Sequence, residues 1–569
     1  MTVMTLQQAA DHITATDPRF AVTTADIGGV TFRVFKNAPP HIRAMMQIGA
    51  EAHGPGDYLI YQDERWSYDE FCTEVARIGH ALTDELGLRP GDRVAIAMRN
   101  YPELLILFMA IASVGGVTVL LNAWWTGDEL DYAFGDSGAK IVFADGPRYA
   151  ALVPVADLRG LRMIAVRDAE GRDTYANLLA RAHRADWPDT PIEPDDDFAL
   201  MYSSGTTGHP KGVMLTHRGA VSAIWTWFMA PNLAPLMGGA QIALPEAEGG
   251  VRPAILIVTP LFHITATHPM FLLSIPLGSR IVLLRKWDAD EAVRVIEAEK
   301  VTRFLGVPTQ SAELMEAVTR LGVTLPTLDY VGAGGAKRPA AQVEKLAGVF
   351  PAAMIASGWG MTETNAAGLS ISGPDYVARP AAAGRLVPPL QDLKLIDEAG
   401  DEVALGEIGE IAVKSPMNMR CYINKPEATA ETLQDGWLRT GDLATLDADG
   451  YVTIVDRRKS IIIRGGENIS CLDVEGALHR HPDVVEAGVF PVPDTRLGEI
   501  VGAAVLLRPG AEATSADLRA FLAEHIARFK IPERIWLRES ALPRGATAKI
   551  DRRALRAECL AFGAPAPGF

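Results

Sequence analysis

The sequence predicts an α/β fold: a large N-terminal domain of layered α/β sheets followed by a small α+β domain. Three observations carry that prediction. The chain has 569 residues, too many for one compact core. Apolar runs of strand length alternate with amphipathic stretches, the signature of helices layered on largely parallel sheets. Beyond about Gly436 the character changes, with a turn, a short charged joint and then a new run of apolar residues.

Residues 93–98 (RVAIAM), 139–144 (AKIVFA), 255–258 (ILIV) and 280–284 (RIVLL) read as buried strands. Residues 288–299 read as an amphipathic helix with Ala292, Val293, Val295 and Ile296 on its apolar face. Residues 104–121 carry no charge and approach the length of a bilayer span. Gly115 and Gly116 split that segment, however, and its second half is β-branched, so a buried helix, a turn and a buried strand describe it better. Residues 235–251, rich in Gly, Ala and Pro, read as a loop. Residues 447–454 (DADGYVTI) read as the turn and second strand of a hairpin. The charged joint is Asp456-Arg457-Arg458-Lys459, with a strand expected at residues 460–463. The expected domains are therefore 1–455 and 456–569, the second ending in a mobile tail, AFGAPAPGF.

Lys and Arg number 54 against 70 Asp and Glu, a net charge of −16, which argues against a general nucleic-acid binder. The four cysteines (72, 421, 471, 559) are scattered and lack metal or disulfide spacing. The first twenty residues lack the basic start and apolar run of a secretory signal, so a cytoplasmic protein with no transmembrane span is expected.

The strongest local signal is YSSGTTGHPKG, residues 202–212. From Ser203 to Lys211 it offers Ser203, Ser204, Gly205, Thr206, Thr207, Gly208 and the lysine itself, backbone and side-chain donors suited to one polyanion. Pro210 breaks the register of the common G-x-x-x-x-G-K-[ST] phosphate loop. Other clusters follow in order: Thr259-Pro260-Leu261-Phe262-His263, Gly334-Gly335-Ala336, Gly358-Trp359-Gly360-Met361-Thr362-Glu363-Thr364, Thr440-Gly441-Asp442, the 456–459 joint, Gly465-Gly466-Glu467-Asn468, and Leu542-Pro543-Arg544 through Lys549.

Taken together these segments resemble the signature motifs of the adenylate-forming superfamily, which includes acyl-CoA synthetases, luciferases and peptide-synthetase adenylation domains. The likeness runs from about residue 59 to 555. It implies a carboxylic acid–CoA ligase using ATP, Mg²⁺ and coenzyme A. The acid and ATP would give an acyl-adenylate and pyrophosphate, and CoA would then give the thioester and AMP. On that resemblance the 203–211 loop holds the β- and γ-phosphates, Glu363 serves Mg²⁺ and Thr362 the α-phosphate. Gly334, Gly335, Ala336, Gly358, Trp359, Gly360 and Met361 surround the nucleotide, while Asp442 and Arg457 reach the ribose. Trp359 replaces the usual tyrosine, and Ala548 the usual glycine before the lysine. Lys549 would bridge acid and α-phosphate in the adenylation step.

The resemblance also makes the small domain mobile. It would turn about Lys459 and bring Gly465, Gly466 and Glu467 to the active site as a CoA tunnel. Trp227, Phe262, His263 and Gly332 would line the acyl pocket. The stretches around them are largely apolar, without an evident arginine, lysine or acid, so a hydrophobic monocarboxylic acid is expected. A medium- or long-chain fatty acid is the first choice, an aromatic or alicyclic acid the second. A stand-alone enzyme loading a carrier protein would share every motif, and a homodimer is left open. A dehydrogenase is disfavoured because Gly332-Ala333-Gly334-Gly335 lacks the dinucleotide spacing.

Overall fold

The computed structural model describes residues 3–125, 127–203, 210–238, 252–464, 467–545 and 549–561. Two large sheets form the body of the molecule. The first has seven strands in the order Cys421–Tyr422, Lys211–Thr216, Asp197–Ser203, Val117–Leu120, Arg93–Ala97, Ile141–Asp145 and Arg162–Val166. Its last five strands are parallel, and Lys211–Thr216 runs antiparallel to both of its neighbours. The second has nine strands around a parallel centre that includes Ala254–Ile257, Arg280–Leu283, Arg303–Gly306, Tyr330–Ala333 and Met354–Trp359. All four strands expected from the apolar runs are present.

The main hydrophobic core lies between these sheets and joins side chains of both with the helices Pro102–Ser113 and His217–Leu236. The uncharged segment resolves as expected into the first of these helices, a turn at Gly115 (φ +71°) and the strand Val117–Leu120. Among the described residues no helix is long and apolar enough to cross a membrane. The expected amphipathic helix forms as Ala289–Glu299, and Asp288 caps it by accepting from the Glu291 N–H at 2.9 Å.

One expectation fails in part. Residues 235 and 236 belong to the helix His217–Leu236, which continues through Pro231 and Pro235 rather than ending in a loop. Met229 and Leu233 are buried in the main core, and that burial outweighs the helix-breaking cost of proline. Residues 239–251 of the expected loop lie outside the described residues, as does the tail from 562.

A third sheet follows, in which Trp437–Leu446 pairs with Gly409–Lys414 on one side and with Val452–Arg457 on the other. The hairpin at residues 447–451 is thus formed. Val452–Arg457 stays paired through Leu443↔Asp456 and Asp442↔Arg457, and the backbone leaves this sheet only at Arg458. Beyond the turn Arg458–Ser460, a separate five-stranded sheet carries its own apolar core, which includes Ile462, Val489, Val505 and Leu522.

The turn glycine of the uncharged segment gives a stability test. A Cβ on Gly115 would lie 3.3 Å from Pro90 Cβ, at a backbone angle that L-residues resist. Gly115→Ala should lower unfolding free energy by about 1–2 kcal/mol, read as a lower denaturant midpoint with an unchanged slope.

Candidate functional site

The ends of the two large sheets and the third sheet converge on one cleft. Ser203 closes one strand and Lys211 opens the next, and the two residues are cross-strand partners, so the phosphate-type loop is the connection of an antiparallel pair. Ser204, Gly205, Thr206, Thr207 and Gly208 lie outside the described residues. The Lys211 ammonium sits 4.5 Å from the centroid of the Tyr422 ring. The Tyr422 hydroxyl donates to Glu363 Oε1 at 2.8 Å, so one tyrosine joins the loop lysine to the glutamate. Burial and the neighbouring Glu363 carboxylate push the Tyr422 phenol pKa upward, and Tyr422 remains a donor.

Glu363 is buried within the 3₁₀ turn Thr362–Thr364, beside half-buried Thr362. The turn is held from below. The His268 Nε2–H donates to Asn365 Oδ1 at 3.0 Å, and Asn365 Nδ2 donates to the Met417 carbonyl at 2.7 Å. Burial takes the His268 imidazole down to about 3, so it stays neutral in this role. Asn365 and Ala366 both adopt positive φ, and the chain folds back so closely that a Cβ on Gly360 would lie 2.1 Å from the Ala366 carbonyl oxygen. Gly360 is therefore fixed by space, next to Met361 at the mouth of the turn.

Gly358 and Trp359 end the strand Met354–Trp359. The Trp359 indole N–H donates to Asp442 Oδ2 at 2.8 Å, while Arg457 Nε donates to Asp442 Oδ1 at 3.0 Å. Gly334, Gly335 and Ala336 follow the strand Tyr330–Ala333, with Gly335 at φ +76°. A Cβ on Gly335 would stand 3.6 Å from Lys549 Cε and 4.0 Å from Nζ, which puts the lysine of the small domain inside the cleft of the large one. The Lys549 side chain keeps contact with water but is crowded by protein. Desolvation first, then the Arg457 charge, bring its ammonium pKa down to about 8, against the opposing pull of Asp442.

His263 lies close enough to Lys549 to feel its charge. Burial first, and that charge second, lower the imidazole to about 3, and Nε2 has no hydrogen-bond partner among the described residues. The Phe262 and His263 rings are 4.4 Å apart, and Phe262 and Trp227 belong to one apolar cluster. Gly332 lies two residues before Gly334, within the strand Tyr330–Ala333. Lys459 falls in the turn Arg458–Ser460. Gly465 and Gly466 lie outside the described residues, and Glu467 opens the strand Glu467–Ser470.

Two site residues had no signal in the motifs. Tyr422 belongs to a two-residue strand, and only pairing with residues 213 and 214 brings it to Glu363. Lys337 follows the glycine turn and donates to the Ile454 carbonyl at 3.0 Å, tying that turn to the strand before the joint. Among the described residues there is no group of three or more His, Cys, Asp or Glu able to hold a metal unaided.

Residues 47–423 match the AMP-binding enzyme family and residues 473–549 the AMP-binding enzyme C-terminal domain. The chain is 33% identical over 490 residues to a feruloyl-CoA synthase of Amycolatopsis sp, covering 86% of this chain and 93% of that protein. It is 31% identical over 499 residues to the long-chain-fatty-acid–CoA ligase FadD13 of Mycobacterium tuberculosis, covering 87% and 93%. Among solved structures, ATP-bound MatB from Rhodopseudomonas palustris superposes with a TM-score of 0.80 at 27% identity, over 91% of this chain and 99% of that one. The chain belongs to the AMP-binding enzyme family and is an acyl-CoA synthetase of the adenylate-forming superfamily, an AMP-forming acid–CoA ligase.

Proposed function

We propose that this ligase activates a hydrophobic monocarboxylic acid in the cleft bounded by Lys549, Asp442, Arg457 and Glu363. The observation that carries the reading is the position of Lys549, against Gly335 and within the field of Arg457, Asp442 and His263. A cation there faces both the acid carboxylate and the α-phosphate. It orients two anions that otherwise repel and stabilises the charge that builds up when they join. Asp442 takes the ribose hydroxyls, with Trp359 and Arg457 fixing its plane. Lys211 and the 203–211 loop take the outer phosphates.

Glu363 fits Mg²⁺. It is a hard oxygen donor whose Oε1 is tied to Tyr422, and Oε2 accepts no hydrogen bond among the described residues. With no second carboxylate cluster beside it, such an ion would take its other ligands from phosphate and water. When bound it would neutralise phosphate charge during attack on the α-phosphorus.

CoA thiolysis needs the room that Lys549 fills. The small domain would turn about Lys459 and carry Lys549 out, bringing the 465–467 loop in. Support for CoA as acceptor comes from a basic cleft of about 320 Å³ next to the acyl motif, lined by Arg99, Asn100, Trp124, Arg285, Lys286 and Phe262 among others. Arg99 lies over the Trp124 ring at 4.6 Å. Burial, then the neighbouring Arg148 and Arg285 charges, depress its pKa, so cations are gathered here on an acidic protein. Such a cleft suits the phosphates of CoA.

Three outcomes test this reading. Lys549→Ala should lower acid-dependent ATP–pyrophosphate exchange by at least about 100-fold while leaving thioester formation from supplied acyl-adenylate largely intact; equal loss of both would remove the assigned role. In the unsubstituted enzyme the active ammonium is complete below its pKa and lost above it. The kcat/KM for adenylation should therefore fall tenfold per unit as pH rises beyond about 8, and this limb should vanish in Lys549→Arg. Arg285→Ala should raise the KM for CoA about tenfold, the cost of one charge-assisted contact, with the KM for ATP unchanged. An unchanged CoA KM would place the phosphates elsewhere.

A further inference from the structure

One short segment, residues 417–423, grips both the glutamate turn and the strand that leaves the phosphate-type loop. The turn Thr362–Thr364 and the asparagine after it are bonded to this segment three times. Asn365 Nδ2 donates to the Met417 carbonyl at 2.7 Å, and the Met419 N–H donates to the Glu363 carbonyl at 2.7 Å. The third bond is that of the Tyr422 hydroxyl to Glu363 Oε1, at 2.8 Å. On the other side, Val213 and Met214 of the strand Lys211–Thr216 pair with Tyr422 and Cys421. The Arg420 and Ile423 N–H groups donate to the Met214 and Gly212 carbonyls, each at 2.9 Å. A Cβ on Gly212 would lie 2.8 Å from Ile423 Cγ1, so only a glycine lets the segment close on that strand.

The Tyr422 side chain touches both halves of this arrangement at once. Its hydroxyl holds Glu363, while the face of its ring lies 4.5 Å from the Lys211 ammonium. The two interactions use different parts of the phenol, the edge for the carboxylate and the π-face for the cation. Tyr422 is 6% exposed and belongs to the main core cluster, so its ring is fixed by packing. Because Met417 and Met419 already hold the backbone of the turn, the phenol acts on the Glu363 carboxylate alone.

Building on the ligase reading, we infer that Tyr422 is a positioning residue that sets Glu363 and Lys211 in register for a metal–triphosphate group. The hydroxyl takes one carboxylate oxygen and fixes the plane of the group, which leaves Oε2 to a divalent ion. The ring keeps the Lys211 charge on the same side chain that orients the glutamate, so the cation for the outer phosphates and the ligand for the ion share one mount. A carboxylate oriented in advance loses less freedom when it binds an ion than one that must first be ordered.

The test follows Mn²⁺ binding by electron paramagnetic resonance in the full-length enzyme, Tyr422→Phe and Tyr422→Leu. The nucleotide is an ATP analogue with a methylene bridge between the α- and β-phosphorus, which cannot be adenylated onto an acid. Tyr422→Phe keeps the ring beside Lys211 and should weaken Mn²⁺ binding to the enzyme–analogue complex by about tenfold or more. Binding of the analogue in the presence of a chelator should be unchanged in Tyr422→Phe and about threefold weaker in Tyr422→Leu, which removes the ring as well. In a Glu363→Gln background, adding Tyr422→Phe should weaken Mn²⁺ no further, because the phenol acts through that carboxylate. Equal Mn²⁺ affinity in Tyr422→Phe and the unsubstituted enzyme would overturn the assignment and leave the ligase reading standing. So would a fall in chelator-treated analogue binding as large as the fall in Mn²⁺ binding, since that marks damaged packing. An unsubstituted enzyme that binds neither the analogue nor Mn²⁺ with it would instead strike the ligase reading.

Discussion

Asp442 keeps a buried carboxylate between two donors from different strands, the Trp359 indole at 2.8 Å and the Arg457 guanidinium at 3.0 Å. A buried carboxylate without such partners would cost several kcal/mol, so the three groups are obliged to stay together. That obligation joins the nine-stranded sheet, which ends in Trp359, to the third sheet, which carries Asp442 and Arg457 on adjacent strands. The cleft exists because these two sheets meet there. Lys549 enters beside Arg457, and burial first, then the Arg457 charge, lower its pKa while Asp442 opposes them.

The same strand also ties the third sheet to the small domain. Val452–Arg457 belongs to the third sheet, yet Asp456 faces the small domain. Its carboxylate accepts from Ser470 Oγ at 2.9 Å and from the Leu472 N–H at 3.1 Å, at the start of the helix Cys471–Leu478. Lys337 adds a tie from the glycine turn to the carbonyl of Ile454. The Asp456 contacts join the third sheet to residues 470–472 of the small domain, while the Lys337 tie stays within the large one. The Asp456 ties are buried, with Asp456 1% and Ser470 7% exposed, so parting them would leave a carboxylate without its donors. They help hold the small domain in the orientation that places Lys549 against Gly335.

Much of this was legible in the sequence, and the boundary of legibility is physical. Apolar runs and turn residues identified the large-sheet strands named at the outset, the helix capped by Asp288 and the hairpin at 447–451, because each is a local pattern of burial and backbone geometry. Lys549, Glu363 and Asp442 stood out through ordered motifs that resemble those of the family. Tyr422 escaped because its role depends on a two-residue strand pairing with residues more than two hundred positions earlier. The helix through Pro231 and Pro235 escaped because tertiary burial overrode a local rule. The contact of Arg303 with the Tyr330 ring escaped because a charged residue at the start of an apolar run reads as the strand's solvated end. Only strand register shows the pair.

The strand that carries this register, Tyr330–Ala333, leads into the glycine turn beside Lys549. Gly332 and Gly335 are three residues apart, one opening space for the Tyr330 ring and the other for Lys549. A side chain at either glycine would intrude, at 332 on Tyr330 and at 335 on a backbone that needs positive φ. The run Tyr330-Val331-Gly332-Ala333-Gly334-Gly335 therefore carries two close approaches, of the Tyr330 ring to Gly332 and of Lys549 to Gly335. Its opposite face is equally constrained, since Val331 is wholly buried and Ala333 nearly so, against the second apolar layer. The tight contact at Gly332 and the positive φ at Gly335 leave both ends of this run intolerant of a side chain, which fixes how closely Lys549 can approach the strand.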